Sequence, residues 1–298
     1  MATSTVRQAV VSAIGRRSLS RRRVVNAIAI AAMGACVLMA LVPLVSLLAY
    51  VVKEGLGAIS WTALTQAPKP SSQGGGGFGH AIVGSVLLLA MAALIGIPWG
   101  ILTGIYLSEY ASGGGRLGKV VRFFSDVLTG VPTIVTGLVV YGLLVIALGS
   151  FSALAGGVAL AFIMLPIVAR ASEEMLNLVP DDLREAGLAL GMPKRRVTLR
   201  IVLPSAAKGL VTSSLLALAR ASGETAPLIV TVLGSNFFTT RLLGAPVAAL
   251  PLYIFQNATQ PDPVKIRLAW AATLVLIAFI LVLSLVARLV GRGGHDSE

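Results

Sequence analysis

Long apolar runs alternate with short polar segments along this chain. The runs cover residues 24–52, 80–107, 124–148, 154–169, 209–233 and 268–290. Crossing the hydrocarbon part of a bilayer as a helix takes about 20 residues, and all the runs except the fourth exceed that length. In lipid each segment must satisfy its own backbone hydrogen bonds, which selects helices over isolated strands. The pattern therefore predicts an all-α integral membrane protein with about six transmembrane helices. Merger of the short fourth run with the third would remove one span. The first run is too long for the core of a signal peptide and has no A-x-A cleavage site after it, so it is read as a span.

Charge decides between these counts. With both termini cytoplasmic and an even number of spans, the inner side holds Arg7, Arg16, Arg17, Arg21, Arg22 and Arg23, then Arg116, Lys119 and Arg122. It also holds Arg170, Arg184, Lys194, Arg195, Arg196, Arg200, Lys208, Arg288 and Arg292. The outer side keeps only Lys53, Lys69, Arg241, Lys265 and Arg267. Such an excess of inner Lys and Arg is what sets membrane orientation. One span fewer would turn the 184–200 cluster outward. The expected organisation is a basic arm over 1–23, a transmembrane domain over 24–290 containing a cytoplasmic loop at 171–208, and a cytoplasmic tail over 291–298.

Composition excludes a soluble fold. Hydrophobic residues make up 56% of the chain and charged residues 12%, with a mean hydropathy of +0.89; that leaves too little polar surface for solubility. The net charge of +12 is thus a topological signal and not one for nucleic acid. The single cysteine, Cys36, rules out a disulfide framework and a Cys-based metal site, and reads as a small apolar filler. His80 and His295 have no Cys or His at ligand spacing, so no metal or cofactor is predicted. Nor is there a paired-carboxylate or nucleophile–base arrangement that would predict an enzyme.

Several local patterns have definite readings. Ala92, Gly96, Gly100 and Gly104 form a four-residue ridge of small residues, which lets a second helix approach closely. The outer connection, with Pro68, Pro70 and glycines at 74–77, reads as a flexible loop; Trp61 near its start suits either an interface anchor or an ordinary loop position. Residues 113–119, Gly-Gly-Gly-Arg-Leu-Gly-Lys, mimic part of a phosphate-binding loop. Val120 follows where Ser or Thr would hold magnesium, and no strand precedes, so the segment reads as a basic turn. Glu173 and Glu174 beside Arg170 read as a solvated interfacial cluster.

The loop at 171–208 carries Glu185-Ala186-Gly187, three residues, Gly191, nine residues, then Ile201-Val202-Leu203-Pro204. Asp181 and Asp182 suit a helix N-terminus, residues 183–190 read as a short helix, and Gly191 with Pro193 ends it. This pattern resembles the EAA loop of ABC importer permeases, E-A-A, three residues, G, nine residues, I-x-L-P. Gly187 in place of the second alanine is the one departure, and a glycine there should loosen the helix slightly. The resemblance implies a MetI-like permease fold and makes Glu185, Ala186, Gly187, Gly191, Ile201, Leu203 and Pro204 the docking element for a separate ATPase subunit.

Within the fifth run stands Arg220-Ala-Ser-Gly-Glu224-Thr-Ala-Pro227. Arg220 lies about 18 Å along a helix from Lys208, near mid-bilayer, where a charged side chain is costly and is usually functional. A continuous helix would put Arg220 and Glu224 on one face, as an ion pair, with Ser213, Ala217, Pro227 and Thr231 on the same stripe. Arg220, Glu224, Ser213 and Thr231 are thus candidates to line a substrate path; a packing pair is the alternative. The segment is similar to the fifth span of the permeases of phosphate ABC importers, the PstA and PstC types, and the extended outer loop fits the PstA type better. That resemblance implies a phosphate importer made of a PstC-like permease as heterodimer partner, two ATP-binding subunits and an extracytoplasmic phosphate-binding protein, in a bacterial cell membrane. Guanidinium supplies forked donors for an oxyanion, while Glu224 could accept the OH that phosphate retains and sulfate lacks. An ABC permease for sulfate or molybdate, or a secondary transporter using Arg220 and Glu224 as an ion relay, are the alternatives. Inverted repeats would favour the relay, and none is evident.

Overall fold

The structure, a computed structural model, describes the backbone of residues 2–111 and 115–292 and the side chains of 22–111 and 115–291. The arm's side chains up to Arg21, Gly113 and Gly114 of the loop mimic, and His295 in the tail lie outside the described residues. All regular structure among the described residues is helical.

The chain divides into two compact units, 1–53 and 54–298. The first consists of helix α1, Ala2–Leu56, which runs on past the boundary. Its Arg22–Leu56 part reaches a mean hydropathy of 2.6, with apolar side chains around the whole circumference, as a lipid-facing helix requires. Cys36, expected as a filler within packing, is exposed on this helix.

The second unit contains α2 (Trp61–Thr65), α3 (Gly79–Tyr110), α4 (Arg116–Gly130) and α5 (Thr133–Leu148). After these come α6 (Ala153–Asn177), α7 (Asp181–Ala189), α8 (Lys194–Ala221), α9 (Ala226–Thr231), α10 (Leu250–Ala258) and α11 (Pro263–Arg292). By length and apolarity, α1, α3, α6, α8 and α11 can each cross a membrane, and α4 with α5 forms a sixth, bent candidate.

That bend corrects the third predicted span. The run at 124–148 is not straight, because α4 and α5 meet at 107°. Pro132 has no N–H to continue the ladder, and it drives Val131 out of the helical region, to ψ 132°. The fifth span is displaced as well: α8 starts at Lys194 inside the predicted loop and stops at Ala221, short of residue 233. The outer connection is also more ordered than its Pro/Gly content suggests. Amide donors of Lys69, Gly75 and Gly77 reach the carbonyls of Gly75, Pro70 and Ala67 at 2.9–3.2 Å, and Phe78 is fully buried. Backbone pairing, not side chains, organises this segment, which a composition-based reading does not register. Trp61 is exposed.

The core forms where α3 lies against α6. A Cβ added to Gly100 would come within 2.7 Å of Val168 Cβ, so the small ridge on α3 is the surface that accepts α6, as predicted. Leu88, Leu89 and Ala92 from α3 join Leu160, Met164 and Val168 from α6 in one buried cluster, with Ala217 and Ala221 of α8 and Leu228 of α9. At the N-terminal end of α3, Ser85 accepts a hydrogen bond from the Leu250 amide at 2.7 Å, pinning the segment that leads into α10. Next to it, Gly84 leaves room for the Ala248 carbonyl.

Candidate functional site

Two places bring predicted residues together: the α7–α8 hairpin and the break after α8.

Helix α7 opens after Pro180 with Asp181 and Asp182 in its first turn, where carboxylates complement the helix dipole. It closes at Gly191, whose φ of +78° is a left-handed conformation that glycine adopts without a Cβ penalty. The Met192 amide then donates to the Gly187 carbonyl at 3.2 Å and that of Gly191 to Leu188 at 2.9 Å. The departure at Gly187 has a packing reason. Gly187 is buried, and a Cβ there would lie 2.8 Å from Ile201 Cδ1 and 3.0 Å from Val197 Cγ2. The two halves of the motif therefore pack on each other, which is why their separation matters. Pro204 accounts for the π turn over Thr198–Val202: it cannot donate to residue 200, and the ladder widens locally. The Leu203 amide then reaches the Thr198 carbonyl, and Ser205 Oγ donates to Ile201 O at 2.7 Å. Glu185 and Ala186 are exposed, as are Leu183, Leu188 and Leu190, so α7 presents a mixed apolar and acidic surface.

Sequence reasoning missed the groups that hold this hairpin. Arg184 Nε and Nη2 donate to Glu109 Oε1 at 3.0 and 2.9 Å, and Nη2 also reaches the Leu176 carbonyl at 2.7 Å. Arg122 Nη2 pairs with Glu173 Oε1 at 2.7 Å and donates to the Leu107 carbonyl at 3.1 Å. Glu173 is thus a buried, paired carboxylate, which corrects its reading as solvated. Glu174, by contrast, stays exposed beside Arg170 at 3.7 Å. No local pattern marks Glu109, since an acid at the end of an apolar run looks like a solvated terminus. Its partner lies 75 residues away in sequence.

The second place differs from its prediction. Helix α8 ends at Ala221, and the amides of Gly223 and Glu224 fold back onto the carbonyls of Arg220 and Ala221, each at 3.2 Å. Gly223 weakens the helix there, and Pro227 denies its continuation while opening α9. The four-residue spacing of Arg220 and Glu224 is therefore not helical, and the predicted stripe is split between two helices. Among the described residues no ion pair joins the two. Arg220 is exposed and Glu224 half-buried. Ser213 is half-buried, with its hydroxyl on Leu210 O at 3.1 Å. Thr231 is fully buried, and its hydroxyl donates to Pro227 O at 2.7 Å. A break of this kind is tolerated in a membrane only where protein covers it or water lines it.

With this geometry in view, the comparisons become informative. Residues 96–293 match the sequence profile of the family described as "Binding-protein-dependent transport system inner membrane component". The phosphate transport system permease protein PstA of Yersinia pestis is 42% identical over 278 residues, 92% of each chain. PstA 1 of Mycobacterium tuberculosis is 39% identical, over 97% of this chain and 95% of its own. Among solved structures, an inward-facing MetNI methionine ABC transporter superposes with a TM-score of 0.59 at 20% identity, over 70% of this chain and 94% of that one. At that identity the likeness speaks to the helical fold alone.

Proposed function

The chain belongs to the family of binding-protein-dependent inner-membrane transport components, and from that premise we propose that it is the PstA-type permease subunit of an ATP-driven phosphate importer. The observation that carries the substrate assignment is Arg220, exposed at a helix break inside a segment of the phosphate-permease type. The relatives named for phosphate transport support the same reading.

In this reading both termini are cytoplasmic, and a PstC-like permease covers the face that exposes Arg220. Two ATP-binding subunits sit below, hydrolyse the ATP that this chain does not, and grip α7 through Glu185 and Ala186. A phosphate-binding protein delivers substrate outside. Arg220 supplies forked donors to the oxyanion, Glu224 accepts a hydrogen bond from the OH that phosphate keeps, and Ser213 borders the same route. Thr231 holds α9 by packing beneath the break. Closure of the ATPase pair moves α7 and α8 and exposes the path to each side in turn.

The test is uptake of radiolabelled phosphate into liposomes holding the whole complex, with sulfate and molybdate as competitors. Phosphate uptake that needs ATP and resists sulfate is expected, and Glu224→Gln should narrow the preference for phosphate. Equal transport of sulfate or molybdate would reassign the substrate, and uptake without ATP would reassign the class to a secondary transporter.

A further inference from the structure

The C-terminal turn of α3, a π turn over Tyr106–Tyr110, is held from two sides by arginines of two other helices. From α7, Arg184 reaches Glu109, which is 5% exposed. The same guanidinium binds the Leu176 carbonyl in the last turn of α6. From α4, Arg122 reaches the Leu107 carbonyl and, on α6, Glu173. Ser108, between these two anchor points, donates to Asn177 Oδ1 at 2.7 Å. Three consecutive residues of α3 thus carry a bond each, and the partners come from α4, α6 and α7.

We propose that Arg184 and Arg122 form a two-armed grip on the cytoplasmic end of α3, and that this grip carries the stroke of α7 into the transmembrane core. The inference rests on the reading of α7 as the element that docks on the ATPase, and it names what α7 pushes. The Gly187 face of α7 packs on α8 through Val197 and Ile201. Arg184 adds a second output, because α3 is the helix whose small ridge seats α6. A cavity of about 420 Å³, lined by Ser108, Glu109, Asn177 and Arg184 together with the apolar Leu188 and Val197, lies beside the arm. Across that gap Arg184 ties α7 to α3 by directed bonds, so removing them loosens it. On the other arm, Glu173 Oε2 is buried with no partner among the described residues. Such an acceptor is costly to leave unmet, and it gives Arg122 a second position to occupy when the turn shifts.

The experiment uses the complete complex in liposomes with its phosphate-binding protein, in a Cys36→Ser background carrying spin labels at Asp182→Cys and Leu102→Cys. Both labelled positions are exposed. With the grip intact, the distance between labels stays the same in the nucleotide-free and ATP-bound states. In Glu109→Gln, which keeps the shape of the side chain and removes its charge, the distance should change on ATP binding. Phosphate moved per ATP should fall about tenfold, within the range of coupling between sites, while assembly and basal hydrolysis persist. Glu109→Asp, which restores the charge on a shorter side chain and leaves Arg184 on its carbonyls, should recover part of that ratio, which a merely structural contact far from the stroke would not do. Glu173→Gln, on the other arm, gives the same readout where Glu109→Gln does not assemble. A Glu109→Gln complex that keeps both the fixed distance and the full ratio overturns the proposal, as does movement between the labels while the grip is intact. Hydrolysis without phosphate uptake before any grip substitution would instead sink the phosphate reading, and the label distances would still decide the grip.

Discussion

The two ends of α8 handle charge in opposite ways. Around its start two cations are engaged: Arg184, on α7, is closed onto Glu109 and two carbonyls, and Lys194 lies 5.3 Å above the ring of Tyr110, while Arg195, Arg196 and Arg200 beside them are exposed. At its end Arg220 is exposed and Glu224 is half-buried, with no ion pair between them. A closed charge holds elements together. An open one inside a span has a partner still to meet, from another subunit or from the substrate. Charges of the first kind make the structure; those of the second are, in the proposed function, left free for the transport path.

The largest effect on stability should come from the closed end. Arg184→Ala leaves Glu109 buried without its counter-charge and should cost about 3–5 kcal/mol, read as a lower melting temperature of the purified protein in detergent. Arg220→Gln removes a charge that makes no ion pair among the described residues, and should stay within about 0.5 kcal/mol of the parent. Equal losses in the two variants would erase the distinction. Next in size is the α3–α6 seam, where Gly100→Val drives a branched side chain into Val168 and should cost about 1–3 kcal/mol in the same assay. Smaller again is Gly191→Ala, which imposes a left-handed residue with a Cβ at about 1–2 kcal/mol; weaker co-purification of the ATPase would report it. The smallest concerns the loop between α2 and α3. The Ser71 hydroxyl holds the Asp262 carboxyl below its usual range, helped by the amides of Val264 and Lys265. A depressed carboxylate contributes above its unfolded pKa of about 3.9 and loses that contribution as pH falls through the folded value. Hydrogen exchange near residue 71, corrected for intrinsic rates, should be flat from neutral pH to about pH 5 and rise only below pH 4. Asp262→Asn should abolish the pH dependence.

Much of this architecture is legible in the residues themselves. Run length gives the spans, the ridge at Gly96–Gly100–Gly104 gives a helix seam, and the acidic start and glycine stop at 181–191 give the short helix α7. Breaks are less legible: Pro132 and Gly223 with Pro227 stand inside apolar runs, and hydropathy averaging passes over them. That averaging also placed Arg220 and Glu224 on one continuous helix. Least legible are the pairs Arg184–Glu109 and Arg122–Glu173, because each partner looks like an ordinary solvated terminus until the fold brings a distant segment to it. The order of the outer loop was hidden for a related reason, since its stability lies in backbone bonds that side-chain composition does not encode.

We propose that Arg220 works on the transport path. The most direct test is phosphate uptake by cells carrying Arg220→Gln, with membrane level and ATPase co-purification measured in the same samples. Loss of a charge-assisted contact to the anion predicts a fall of at least about tenfold with the complex intact. Unchanged uptake at normal levels of complex would contradict the claim and return Arg220 to helix packing.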